Sequence, residues 1–210
     1  MRIKSKFLSL GFKTIIVVLG LIGVLIQVGI FSGKYNFNVL KYYTLLSNVA
    51  CIIYFIFAII HGFKSNDTFM PQVKGALVMC ITVTGLIYHF MLSGVFSMDG
   101  TLALSNVLLH YFMPIATVLD WLLFDKKGSY KKHSPLLWIV APYLYIVFIF
   151  INVMFGLKFG NNKYPYPFFD IDKLGFGKVF VTVVILTIFF IALGYVFYFI
   201  DKWMAKKRHA

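Results

Sequence analysis

The chain has 210 residues, of which 60% are hydrophobic and 13% charged, and its mean hydropathy is +0.86. A water-soluble domain carries roughly 25% charged residues, so this composition excludes an ordinary soluble domain and makes the bilayer the expected solvent. Twenty Lys and Arg against seven acids, every one an aspartate, leave a net charge of +13 whose distribution decides whether an anionic partner is implied.

Cutting the chain at Lys, Arg and Asp leaves six uncharged stretches, 14–33, 42–63, 75–98, 100–119, 133–157 and 179–200. Each is close to the roughly 20 residues that cross about 30 Å of hydrocarbon as a helix. The predicted fold class is all-α: one transmembrane domain over residues 1–210, a bundle of six helices at about 8–32, 42–63, 75–98, 100–124, 134–157 and 179–203. The fourth is expected to continue to Phe124, with Asp120 and Trp121 near its end. The first apolar stretch is longer than the roughly 7–15 residues of a signal-peptide core and no small-x-small cleavage site follows it, so it is expected to remain as the first helix. Cys51 and Cys80 fall inside predicted helices and read as small apolar residues, with neither a disulfide framework nor a CxxC metal site.

Between the helices the basic residues are unevenly shared. With both termini cytoplasmic, the inner segments hold Arg2, Lys4, Lys6, Lys13, Lys64, Lys74, Lys126, Lys127, Lys131, Lys132, Lys202, Lys206, Lys207 and Arg208. The outer segments hold only Lys34, Lys41, Lys158, Lys163, Lys173 and Lys178. This asymmetry predicts cytoplasmic termini in a multi-pass cell-membrane protein. It also accounts for most of the positive charge through the anionic inner leaflet, so membrane lipids and not nucleic acid are the expected partners. The long outer segment 158–178, rich in Gly, Pro, Tyr and Phe, is expected to fold as an aromatic cap at the interface.

Polar groups at membrane depth are costly and mark function. In the second helix Thr44, Ser47, Asn48 and Cys51 follow i, i+3, i+4, i+7 spacing and form one stripe. The fourth helix carries Asn106, His110, Thr117 and Asp120 close to one face, and the third carries Thr82, His89 and Ser93. By the helical rise Thr44, His89 and His110 all lie roughly 5–15 Å below the outer surface and can share a pocket. His61, His133 and His209 belong to the opposite side. The plainer readings are a Thr bonded to the carbonyl one turn back, a packed histidine, an Asp120 paired with inner-loop lysines, and a Pro114 kink.

A threonine hydroxyl becomes a nucleophile when an imidazole within about 3 Å takes its proton. A Thr44–His110 pair permits acyl transfer, with Asn48 or Asn106 as candidate donors to an oxyanion. No GxSxG, HExxH or DxxD motif is present. The segments Tyr42-Tyr43-Thr44-Leu45-Leu46, His110-Tyr111-Phe112-Met113-Pro114 with Asp120 ten residues after the histidine, and Tyr164-Pro165-Tyr166-Pro167-Phe168-Phe169-Asp170 occur in order along the chain. In these it resembles the androgen-induced and androgen-dependent TFPI-regulating protein family, multispan threonine hydrolases that cleave fatty acid esters of hydroxy fatty acids, and above all that family's bacterial members. The resemblance implies Thr44 as nucleophile and His110 as general base. It departs from the animal members in having Asp120 and Asp170 where they carry Glu, and in a Pro114 one residue closer to the histidine.

The expectation is thus an intramembrane hydrolase of lipid esters, with Thr44 and His110 catalytic, Asn48, Ser47, His89, Asn106 and Asp120 supporting, a lipid ester as substrate, and no cofactor or metal. The alternative is a non-catalytic protein that binds or transports a lipid or small molecule along the same stripes. A metal site on His89 and His110 lacks a third ligand at their depth.

Overall fold

The computed structural model describes residues 2–94 and 100–207; Arg208, His209 and the 95–98 end of the predicted third span lie outside the described residues. Six helices are long and apolar enough to cross a membrane: α1 (Lys6–Val28), α2 (Tyr43–Lys64), α3 (Pro71–Leu92), α4 (Thr101–Phe124), α5 (Ser134–Met154) and α6 (Phe176–Lys206). No β-strand occurs among the described residues beyond the isolated bridge between Phe159 and Asn162. The chain is an all-α, six-helix, multi-pass membrane protein.

The ends follow local chemistry. Ser5 caps α1 by accepting from the Leu8 N–H, and Gly29, at φ 89°, closes it in the left-handed conformation that glycine adopts without penalty. Pro71 opens α3, where its missing N–H costs nothing. Cutting at charges placed the start of the third span at Gly75; the helix begins four residues earlier because Lys74 lies inside it, buried and paired. The sixth helix likewise overruns its predicted 179–203 bounds at both ends.

Helices α1 to α4 pack together, α1 along α2 and α4, and α3 along α2 and α4, while α5 and α6 flank α3. One aliphatic core, including Ile16, Phe55, Ile81, Leu109 and Met113, fills the space among the first four helices. A second, largely aromatic core joins the C-terminal half of α3 and α5 to α6 and the 158–175 segment. That segment folds over the end of the bundle opposite the chain termini. Phe159 and Asn162 exchange backbone bonds, Pro167–Phe169 forms a 3₁₀ turn, and Tyr42 donates to the Phe159 carbonyl at 3.1 Å.

The start of α1 and the end of α6 lie on one face of the bundle. The Ile3 N–H donates to the Leu123 carbonyl, and Asp201 near the end of α6 accepts from the Tyr130 N–H at 3.0 Å, so the first described residues are tied to the end of α4 and α6 to the α4–α5 connection.

Two of the helices widen. Tyr88–Leu92 at the end of α3 and Leu108–Phe112 in the middle of α4 are π-helical turns, a feature that often marks functional positions.

Candidate functional site

Thr44 is the second residue of α2, and His110 sits in the π turn of α4. The Thr44 hydroxyl lies 3.2 Å from His110 Nε2. The other ring nitrogen, Nδ1, is 3.1 Å from the Asn106 backbone oxygen. A carbonyl only accepts, so Nδ1 carries the hydrogen of the neutral ring and Nε2 presents its lone pair to the Thr44 hydroxyl. This is the tautomer a general base requires.

Packing fixes the imidazole in that attitude. The Tyr88 ring stacks on it with centroids 4.0 Å apart, and the Asn106 amide donates to the Tyr88 hydroxyl at 2.5 Å. Gly85 of α3 faces the turn: a Cβ there would stand 3.0 Å from the His110 carbonyl and 3.1 Å from the Pro114 ring, so glycine permits the close approach of α3 and α4.

The remaining sequence-predicted residues divide into two groups. Asn48 and Ser47 belong to the site. Asn48 is fully buried and donates to the Thr44 carbonyl at 2.7 Å and to the Leu109 carbonyl at 3.2 Å, tying the helix of Thr44 to that of His110. Ser47 shares a 2.8 Å hydrogen bond with Thr84 and donates to the Thr44 carbonyl, which docks α2 on α3. Both Asn48 N–H groups are thus spent on carbonyls, whereas Asn106 spends one N–H on Tyr88 and has a second.

His89 and Asp120 lie elsewhere. His89 is exposed, meets the Tyr111 hydroxyl at 3.3 Å, and lines a lateral groove of about 370 Å³ with His110 but without Thr44. The pocket expected to hold all three therefore holds Thr44 and His110, because the π turn at 88–92 directs His89 outward. Asp120 is ten residues after His110, about 15 Å along the helix. It is fully buried between Lys13 of α1, 2.8 Å away, and Lys74 of α3, 2.6 Å away, and not beside the inner-loop lysines. Among the described residues no three His, Cys, Asp or Glu side chains converge as a metal site, and Cys51 and Cys80 are buried and unpaired with each other.

Composition did not single out the aromatic residues that surround the pair. Tyr166, in the cap segment, is buried with its phenol beside the Thr44 hydroxyl and the first-turn N–H groups of Tyr43 and Thr44. Burial pushes that phenol up to about 12, with those neighbours opposing the shift, so it stays a neutral donor. The Tyr-Pro-Tyr-Pro run was the sequence signal for it, but nothing in the run indicated which of its two buried tyrosines meets Thr44.

Three spaces meet at the pair. A chamber of about 200 Å³ is lined by both Thr44 and His110, together with Tyr42, Tyr88 and Tyr166. A narrow slot of about 50 Å³ between α5, α6 and the cap reaches Thr44, and the lateral groove reaches His110. The fold and site define a multi-pass membrane protein with a Thr–His pair at the junction of apolar spaces. No family model, no curated protein and no solved structure matches the chain.

Proposed function

We propose that the protein is an intramembrane hydrolase of lipid esters, fatty acid esters of hydroxy fatty acids or similar compounds, in the cell membrane with both termini cytoplasmic. The observation that carries this reading is the 3.2 Å approach of the Thr44 hydroxyl to a His110 whose far nitrogen is held by the Asn106 carbonyl. In the first step Thr44 Oγ1 attacks the ester carbonyl while Nε2 takes its proton. The tetrahedral oxyanion then collapses, His110 returns the proton to the departing alkoxide, and an acyl-threonine remains. Water, deprotonated by the same nitrogen, attacks the acyl-threonine and releases the acid.

The first-turn N–H groups of Tyr43 and Thr44 have no partner within α2, which begins at Tyr43. With the Tyr166 phenol they supply donors at the positive end of the helix for the developing oxyanion. A chamber of about 200 Å³ is below the roughly 300–1,000 Å³ of common ligand pockets. It suits the ester group and flanking methylenes, while the chains run into the groove and among lipid tails.

The test is labelling of the purified protein by a fluorophosphonate and its turnover of fatty-acid esters, in wild type, Thr44→Ala and His110→Ala. Loss of both signals in both variants is expected; hydrolysis unchanged in either variant overturns the assignment. Tyr166→Phe, with the backbone donors intact, is expected to lower kcat about tenfold to a hundredfold, and an unchanged kcat removes Tyr166 from the oxyanion site.

A further inference from the structure

A second polar site lies at the terminal face, far from Thr44. A cavity of about 190 Å³ opens between the start of α1, the end of α2, the 65–69 connection and Asp125. Lys4, Lys6 and Lys13 are among its lining residues, and so is Asp125, a largely buried carboxylate that makes no ion pair among the described residues and whose Oδ2 is sealed within the protein without a hydrogen-bond partner. Lys13 is committed to Asp120, whereas neither Lys4 nor Lys6 is among the ion pairs of the described residues. Lys6 spends one N–H on the Phe63 carbonyl at 2.9 Å. Arg2 fastens the rim by donating to the carbonyls of Phe124 and Asn66.

Side chains of both signs that form no ion pair thus line one space. A purely anionic ligand would set negative charge beside the Asp125 oxygen and leave it unsatisfied, and a purely cationic one would face the lysines. A ligand with a primary ammonium and a phosphate satisfies both, the ammonium donating to Asp125 and the phosphate accepting from Lys4 and Lys6. Asp67, at the mouth, adds a second carboxylate for the ammonium. A quaternary ammonium, having no N–H, fails the first requirement. The location selects the source: exposed Phe7, Leu8 and Phe63 flank the opening at the helix ends, where headgroups meet acyl chains.

We propose that this cavity is a binding site for the ammonium-phosphate headgroup of an aminophospholipid such as phosphatidylethanolamine. It stands apart from the Thr44–His110 reading, and Thr44→Ala retains it.

The experiment is native mass spectrometry of the detergent-purified full chain after incubation with equimolar dioleoyl phosphatidylethanolamine, phosphatidylcholine and phosphatidylglycerol. Retention of phosphatidylethanolamine at least about tenfold above the other two is expected, and Asp125→Asn is expected to abolish that preference while Lys4→Gln with Lys6→Gln lowers retention about tenfold. A parallel incubation with soluble O-phosphoethanolamine distinguishes the sources. Retention of the lipid alone assigns the site to the membrane, and retention of the soluble compound assigns the same chemistry to a cytosolic ligand. Equal retention of all three lipids, or an unchanged preference in a folded Asp125→Asn protein, overturns the proposal. If Asp125→Asn does not fold, the lysine variants and the wild-type lipid comparison decide it in the same way.

Discussion

Asp120 holds two ammonium groups at once, which makes its replacement far costlier than that of either lysine. The carboxylate is fully buried, with Lys13 on one oxygen at 2.8 Å and Lys74 on the other at 2.6 Å. In Lys74→Met, Asp120 keeps Lys13, and the methionine chain still lies against Phe55, over whose ring the ammonium now sits at 4.0 Å. The loss is one charge-assisted hydrogen bond, about 2 kcal/mol. In Asp120→Asn the amide can accept from one lysine but turns its own N–H groups toward the other. Two ammonium groups on the order of 5–6 Å apart then repel by about 3 kcal/mol at an effective dielectric constant of ~20, in line with the roughly 3–5 kcal/mol for stripping one partner from a buried pair. At about 3 °C per kcal/mol for a chain of this size, Asp120→Asn is expected to melt about 12 °C below wild type and Lys74→Met about 6 °C below. Trp121, buried beside Asp120, reports the transition by fluorescence in detergent micelles. Asp120→Asn melting at or above Lys74→Met refutes the reasoning, because it would mean that the aspartate is not the centre that neutralises both lysines.

Further outcomes follow from the same geometry. Gly85→Ala sets a Cβ 3.0 Å from the His110 carbonyl and 3.1 Å from the Pro114 ring, both too rigid to yield, so it is expected to cost about 1–3 kcal/mol; an unchanged melting temperature contradicts that. Asn48→Ala removes one interhelical bond, to Leu109, and one within α2, to Thr44. It is expected to cost about 1–2 kcal/mol of stability and more than tenfold in ester turnover per folded molecule, since misplacement of the pair by about 1 Å is worth on the order of 10² in rate; wild-type turnover in this variant breaks the link between Asn48 and the pair. Burial raises the Asp125 carboxyl from 3.8 to about 6, against the pull of Lys74 and the other nearby lysines. The folded protein then holds this proton more tightly than the unfolded chain, so stability is greatest below the unfolded value, declines between about pH 4 and 6, and is flat above. That slope, about 3 kcal/mol in all, is read by chemical denaturation across the window, and Asp125→Asn should flatten it.

The helices were legible because a 20-residue apolar run has one reading in a bilayer. Their ends were less so, since a cut at every charge assumes that charges mark the surface. Lys13 and Lys74 break that assumption by meeting Asp120 inside the bundle, and no single helix shows this: the three partners lie on α1, α3 and α4. The Thr44–His110 contact was accessible as matched depth on two polar stripes. The orientation of His89 was not, because a π turn shifts the face that 3.6-residue periodicity assigns. Tyr88 and Tyr166 were hidden by number, as two tyrosines among 13 in a chain that also holds 24 phenylalanines.

The separation of Asp120 from His110 bears on the chemistry proposed for the pair. On paper, Thr44, His110 and Asp120 have the composition of a nucleophile–base–acid set. In the bundle the acid belongs to an ion cluster about 15 Å away along α4, and the group that orients the imidazole is the neutral Asn106 carbonyl. A carbonyl fixes the tautomer as well as a carboxylate does, but offers less to the imidazolium that forms when Nε2 takes the proton. Under the proposed mechanism, the charge separated in that step is therefore stabilised mainly on the anionic side, by the first-turn N–H groups of α2 and Tyr166, with the Tyr88 ring face against the imidazolium as the remaining cationic partner. Replacing Tyr88 by Leu keeps an apolar wall but removes that face, so kcat should fall more than KM rises, with Thr44 still labelled at a reduced rate. An effect on KM alone would show that Tyr88 shapes the chamber and does not support the charge.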